Sequence, residues 1–232
     1  MKEYKHLIFD LDHTLWDFER NARETLEFLF DKYDLESKSM KSEKERFVQA
    51  YFRINRQMWK LYDKSLVTKK EIRELRFKKV LQELNVKDVE LSLILEDTFL
   101  SICPAKGNLI DGSIDLLEYL APKYEMHILT NGFLETQNIK IKTSKIAHYF
   151  KTMTTSECSG YKKPNPKIFN FKLDKINAQK EECLMIGDNL LTDIGGARRS
   201  GIDQLFFNPT RMKFEQKVTF QVSELIDIKS LL

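Results

Sequence analysis

The residues Leu7-Ile8-Phe9 form a short apolar run that stops at Asp10-Leu11-Asp12. A run of that length, closed at once by polar turn chemistry, is the pattern of a strand buried on both faces of a parallel sheet. The pattern returns three times. Met126-His127-Ile128-Leu129 is followed by Thr130-Asn131-Gly132, Cys183-Leu184-Met185-Ile186 by Gly187-Asp188-Asn189, and Gln204-Leu205-Phe206-Phe207 by Asn208-Pro209. Amphipathic stretches lie between these runs, at 113–120, 135–149, 166–176 and 193–200. Strands that alternate with helices predict βαβ units and a parallel sheet. Residues 151–155 suggest a further strand, and 218–222 a late edge strand before a terminal helix. In an open α/β sheet, chemistry sits beyond the carboxyl ends of the strands. Asp10 and Asp12 are offered at that edge. Carboxylates held so close repel unless a cation joins them or a proton separates them, which makes a divalent metal the first inference.

The segment from Asp17 to about Cys103 differs in kind. It has no convincing strand, and its apolar residues recur at helical spacing. Phe18, Ala22, Leu26, Leu29 and Tyr33 mark one stripe; Phe47, Tyr51, Ile54, Met58 and Leu61 mark a second. Ile72, Leu75, Val80, Leu81 and Leu84 mark a third, and Val89, Leu93, Ile94 and Phe99 a fourth. Helices with one apolar stripe each bury it by packing as a bundle. The expected architecture is α/β: a Rossmann-like, doubly wound parallel sheet formed by residues 1–16 and 104–232, with an α-helical bundle inserted at 17–103. An insertion at that point has the position of a lid over the sheet edge.

The whole-chain properties exclude several classes. With 42% hydrophobic and 31% charged residues, the 232-residue chain has the composition of a globular protein and not of a disordered or fibrous one. A net charge of +3 is too small to argue for a nucleic acid polymer as partner. Lys140, Lys142 and Lys145 read as a solvated helix face. Cys103, Cys158 and Cys183 are odd in number and none lies in a CxxC pair, which argues against a disulfide frame or a zinc site. Residues 1–6 lack an apolar leader region, and no run approaches membrane-spanning length. The expectation is a cytoplasmic protein with no membrane partner, a monomer or homodimer.

Four polar clusters fall at one sheet edge: Asp10 with Asp12, Thr130 with Asn131, Lys163, and Asp188 with Asp193. Each alone has a plain structural reading. A strand-end Thr favours helix caps, a Lys before Pro is usually solvated, and Gly-Asp-Asn is usually a turn. Their joint occurrence in this order argues for a site. Asp10-Leu11-Asp12-His13-Thr14, Thr130-Asn131-Gly132, Lys163-Pro164 and Gly187-Asp188-Asn189 through Asp193 resemble the four motifs of the haloacid dehalogenase-like phosphohydrolases. The resemblance covers nearly the whole chain, and the helical insert is similar to that family's first cap type. It implies that Asp10 is the nucleophile and that Asp12 protonates the leaving oxygen and then activates water. It implies Mg²⁺ held by the Asp10 carboxylate, the Asp12 carbonyl and Asp188, with Asp193 orienting a metal-bound water or Lys163, or else capping the next helix. Thr130, Asn131 and Gly132 would meet the phosphate, and Lys163 would supply fixed positive charge.

Asn55, Trp59, Arg73, Arg76 and Phe77, together with the segment Asp10 to Phe18, resemble the noncanonical pyrimidine 5′-nucleotidase branch. This implies a small phosphorylated metabolite as partner, nucleoside 5′-monophosphates first, with Arg76 at the substrate anion or base; the plain structural reading is a surface charge for Arg76 and ordinary packing within the insert for Trp59 and Phe77. A dehalogenase expels halide and needs no second acid, so Asp12 favours a phosphatase. A phosphosugar mutase shares both aspartates and remains the alternative; a signalling phosphoacceptor domain fits the insert and Asp12 poorly.

Overall fold

The computed structural model describes residues 3–39 and 43–232; Met1 and Lys2, where the reading for a leader begins, lie outside them. The chain divides into two compact units, Met1–Phe18 with Gly107–Leu232, and Glu19–Lys106. The helical unit therefore starts and ends slightly later than 17–103.

The helical unit comprises α1 (Phe18–Lys32), α2 (Leu35–Lys38), α3 (Lys44–Asp63), α4 (Lys69–Glu83) and α5 (Val89–Ile102). Local chemistry sets two of the starts. Thr68 Oγ1 accepts the Glu71 amide at 3.2 Å while the Glu71 carboxylate accepts the Thr68 amide at 2.8 Å, a reciprocal cap on α4. The Asp88 carboxylate accepts the Leu91 amide at 2.8 Å and starts α5. The core is aromatic: the Tyr51 ring lies 4.9 Å from Phe99 and 5.2 Å from Phe77. The fourth expected stripe needs correction. Val89, Leu93 and Ile94 are exposed, and α5 buries Leu91, Leu95 and Phe99 with Ser92 and Glu96. Leu61 is likewise exposed, and Tyr62 takes the buried position on α3.

The second unit contains β1 (His6–Phe9), α6 (Ser113–Leu120), β2 (Glu125–Thr130), α7 (Leu134–Thr143), β3 (Phe150–Thr155), α8 (Ser156–Ser159), α9 (Pro166–Ile176), β4 (Cys183–Gly187), α10 (Gly195–Arg199), β5 (Asp203–Phe207) and β6 (Phe220–Val222). All pairings are parallel, in the order β3-β2-β1-β4-β5-β6. The chain runs outward from β1 through β2 and β3, then restarts at β4 on the other side. β1 and β4 thus meet at the topological switch point, where an open sheet leaves a crevice at its carboxyl edge. Helix α7 stops at Thr143, short of the expected 149, because Lys145 adopts a left-handed φ of 58° that a helix cannot contain. The chain closes on 3₁₀ turns at Leu225–Ser230 where a helix was expected.

One face of the sheet carries a buried cluster that includes Ile8, Leu129, Cys183 and Met185 together with Ile168 and Phe169 of α9. Register places His127 beside Ile8 and Thr152 beside His127 on that face. Lys172 of α9 is fully buried.

Candidate active site

The sheet brings four separated segments to one edge. Asp10 directly follows β1, and its amide donates to Ile186 O at 2.9 Å, which locks the β1–β4 exit. Thr130 ends β2, Asp188 directly follows β4, and Lys163 lies in the loop between α8 and α9. Lys163 Nζ has three protons and three acceptors: Asp10 Oδ1 at 2.6 Å, Asp193 Oδ1 at 2.7 Å and Leu129 O at 2.8 Å. Its backbone is held as firmly. The Lys163 amide donates to Asn131 Oδ1 and the Asn131 amide group donates to Lys163 O, both at 2.8 Å. Lys163 is buried, so this is a saturated ammonium fixed in space, unlike a solvated loop lysine.

Asp193 is fully buried, and its Oδ2 accepts the Asn189 amide at 3.1 Å. The cap of the following turn is Asn189, whose Oδ1 accepts from Leu191 and Thr192 at 3.0 and 3.1 Å. Of the roles open to Asp193, the one in contact here is that of a brace for Lys163. Gly187 makes room for it: a Cβ there would lie 2.4 Å from Asp193 Oδ2. Thr14 Oγ1 donates to Asp188 Oδ1 at 3.3 Å.

Oxygens of Asp10, Asp188 and Asp193 lie within 4.8 Å of one another. When all three are ionised, these carboxylates against the ammonium of Lys163 leave two net negative charges among the described residues. The protein alone does not balance this. Burial, together with the Asp193 and Asp188 charges and against the pull of Lys163, raises the Asp10 carboxyl well above the usual range. Asp188 is pushed up to about 7, by burial first and then by Asp193. Burial opposes the charge on Lys163, but Asp10 and Asp193 outweigh it and drive its pKa up. A compact all-oxygen set with a net charge of minus two fits a hard dication such as Mg²⁺.

Asp12 lies beside this group. Lys140 Nζ donates to Asp12 Oδ1 at 2.6 Å, and Gln137 Nε2 donates to Asp12 Oδ2 at 2.9 Å. Burial alone would raise the Asp12 pKa; the Lys140 charge and the two hydrogen bonds outweigh it and lower the value. Lys140 is itself buried, with its ammonium 4.4 Å from the Trp16 ring centroid. The reading of Lys140 as solvated is therefore corrected, whereas Lys142 and Lys145 are exposed. Gln137 also donates to Thr130 Oγ1 at 2.8 Å, and Gly132 donates its amide to the same oxygen at 3.0 Å. The Thr130 oxygen thus accepts twice and keeps its own proton to give. Gln137 Oε1 is buried with no hydrogen-bond partner among the described residues. Sequence reasoning missed Gln137 and Lys140. Their three-residue spacing on one face of α7 is the only signal, and no motif marks it.

The expected substrate contacts fall differently. The Asn131 side chain and the Gly132 amide are occupied by Lys163 and Thr130, as described, and position the site. Arg76 lies in the helical unit. Its guanidinium donates to Glu96 Oε1 and Oε2 at 2.6 and 3.1 Å and to Asn55 Oδ1 at 2.9 Å. It also sits 5.2 Å from the Phe99 ring and 5.3 Å from Tyr51. It is buried, and this arrangement makes it an internal tie of the bundle.

A family profile described as haloacid dehalogenase-like hydrolase matches residues 4–201. The HAD-hydrolase YfnB of Bacillus subtilis (strain 168) is 28% identical over the whole chain and 97% of its own length. Its solved structure, bound to magnesium, superposes with a TM-score of 0.89 and covers 99% of each chain. Two proteins named pyrimidine 5′-nucleotidase are also 28% identical over 97% of this chain. They are PynA of Streptococcus pneumoniae and YjjG of Escherichia coli (strain K12), matched over 93% and 96% of their lengths.

Proposed function

The chain belongs to the haloacid dehalogenase-like hydrolases, and from that premise we propose a Mg²⁺-dependent phosphomonoesterase that works through a phosphorylated Asp10, with nucleoside 5′-monophosphates as its substrate class. The observation that carries the chemistry is the buried Asp10–Lys163–Asp193 chain beside Asp188, with Asp12 two residues beyond the nucleophile. Similarity over nearly full length to two pyrimidine 5′-nucleotidases supports the substrate class.

Lys163 holds one Asp10 oxygen and leaves the other to attack phosphorus. A new P–O bond forms to Asp10 as the ester P–O bond breaks, and the departing oxygen takes its proton from the protonated form of Asp12, which the water step of each turnover regenerates. Water then attacks the acyl phosphate and gives a proton to Asp12, releasing inorganic phosphate and restoring the Asp10 carboxylate. General acid–base help of this kind is worth about 10²–10⁴-fold. The Lys140 ion pair favours ionised Asp12, the form that the water step requires. The Thr130 hydroxyl proton and the Lys163 charge face the transferring group. Mg²⁺, held by the carboxylates of Asp10 and Asp188 and the Asp12 carbonyl, would supply charge neutralisation between anionic nucleophile and anionic phosphate.

Phosphate release across nucleoside monophosphates, sugar phosphates and phosphoglycolate tests this reading. Pyrimidine nucleotides are expected to lead. Isomerisation without phosphate release would identify a mutase instead. Asp10→Asn is expected to abolish release with the fold intact, and turnover retained with added Mg²⁺ would refute covalent catalysis by Asp10. Chelation by EDTA is expected to stop release and Mg²⁺ to restore it; full activity after exhaustive chelation would remove the metal from the reading.

A further inference from the structure

The opposite, amino-terminal end of the same sheet holds a second group of ligand-type side chains that the phosphatase chemistry does not use. His6 begins β1, and its register partner is Glu125, the first residue of β2. Residues two apart on a strand share a face, so Glu125 and His127 stand on one side of β2 with His6 across from them. His6 Nδ1 lies 3.3 Å from His127 Nε2 and 3.6 Å from Glu125 Oε2. The three ligand atoms all lie within 4.8 Å of one another.

Four ligands at about 2.0–2.1 Å around a tetrahedral Zn²⁺ stand about 3.3–3.4 Å apart along each edge. At 3.3 Å the two ring nitrogens are within hydrogen-bond distance of one another, and the same spacing lets a dication take the place of the shared proton. Two imidazoles and one carboxylate form a borderline-soft donor set suited to Zn²⁺ and unlike the all-oxygen set at the carboxyl edge. Cysteine spacing bears on thiolate sites, and this set contains no thiolate. His127 is buried, and its other nitrogen, Nδ1, lies 3.1 Å from Thr152 Oγ1. A hydrogen bond of that kind on the far nitrogen fixes the ring and leaves Nε2 for a metal. Thr152 is held in turn by Lys172 Nζ at 2.7 Å, and that nitrogen faces the oxygens of Ile128, Thr152 and Thr154. Glu125 is exposed and His6 partly so, which gives an ion a way in and keeps the fourth corner open to water.

We propose that His6, Glu125 and His127 form a second metal site, specific for Zn²⁺-class dications, that clamps the amino-terminal ends of β1 and β2. The site is separate from the Asp10 centre and independent of the phosphatase reading. Co²⁺ is the probe, because tetrahedral Co²⁺ with nitrogen ligands absorbs strongly in the visible and octahedral Co²⁺ in an oxygen site absorbs weakly. The full chain is titrated with Co²⁺ in saturating Mg²⁺, and bound Co²⁺ is then displaced by Zn²⁺. One equivalent with strong visible absorption is expected, retained in Asp188→Asn and lost in His6→Gln. Glu125→Gln alters an exposed residue and leaves the fold intact. It is expected to weaken Co²⁺ binding by at least about tenfold, and Thr152→Val by about 10–100-fold as a loss of outer support. Zn²⁺ is expected to raise the melting temperature of the wild type and of Asp188→Asn more than that of Glu125→Gln. Absence of the band, or a band that survives both His6→Gln and Glu125→Gln, overturns the proposal.

Discussion

At the scale of single residues, the pairing of Asp12 with Lys140 carries the most consequence. A general acid at neutral pH is normally helped by a raised pKa, yet Lys140 and Gln137 hold Asp12 in its anionic form. In the proposed mechanism this favours the second half of the reaction, in which Asp12 would take a proton from water, and it aims both carboxylate oxygens. Lys140→Met is therefore expected to lower kcat by about tenfold or more through misplacement of Asp12, with KM little changed. A rise in KM at constant kcat would show that Lys140 acts on substrate binding instead. The residues that carry motifs are legible in the chain for a local reason. Asp10, Thr130 and Asp188 each sit at or one residue beyond the end of an apolar run, so the strand itself places them. Lys140 is illegible because its role depends on which face α7 turns to β1. Lys142 on the same helix and Lys145 just beyond it are exposed, and composition alone cannot separate them from Lys140.

At the scale of elements, the same difficulty explains the misread stripe of α5. Its buried face runs through Leu91, Leu95 and Phe99 but also contains Glu96, and a charged residue on a core face breaks the apolar period. Glu96 is tolerated there because Arg76 of α4 reaches it with two donors and Asn55 of α3 takes a third. Burial raises the Glu96 pKa even against the pull of Arg76, so the carboxylate depends on its partner. Arg76→Leu leaves a buried carboxylate without compensation and is expected to destabilise the protein by about 3–5 kcal/mol in urea unfolding. The double variant Arg76→Leu, Glu96→Leu removes both charges and is expected to recover most of that loss, since apolar replacement of a buried pair is often neutral. If the double variant proved as unstable as the single one, the pair would not be the source of the effect. Helix existence was legible from spacing; the partner that neutralises a buried charge lies on another helix and was not.

At the scale of the whole molecule, the sheet carries the proposed phosphatase site at one edge and a buried polar row on a face that α9 covers. Lys172 is the extreme member of that row. Its side chain is fully buried, and burial, helped by the Lys175 charge and opposed by Cys183, lowers its pKa from 10.5 to about 7. Lys175 lies on the same helix, Cys183 on β4 and His127 on β2, and burial keeps His127 neutral with a pKa of about 3. Below about pH 7 both folded and unfolded chains hold the Lys172 proton, and the buried charge is a standing penalty. Between about 7 and 10.5 the unfolded chain still binds that proton and the folded chain does not, so stability rises with pH. The slope from one such group is at most about 1.4 kcal/mol per pH unit. Urea unfolding from pH 6 to 10, with a chelator present to keep the histidines free of metal, is expected to show this rise in the wild type. Lys172→Met removes the titrating group and is expected to flatten it relative to the wild type, while leaving Lys163 and the carboxylates untouched. Parallel curves for the two proteins would mean that Lys172 keeps its charge inside the fold, sustained by the oxygens of Ile128, Thr152 and Thr154.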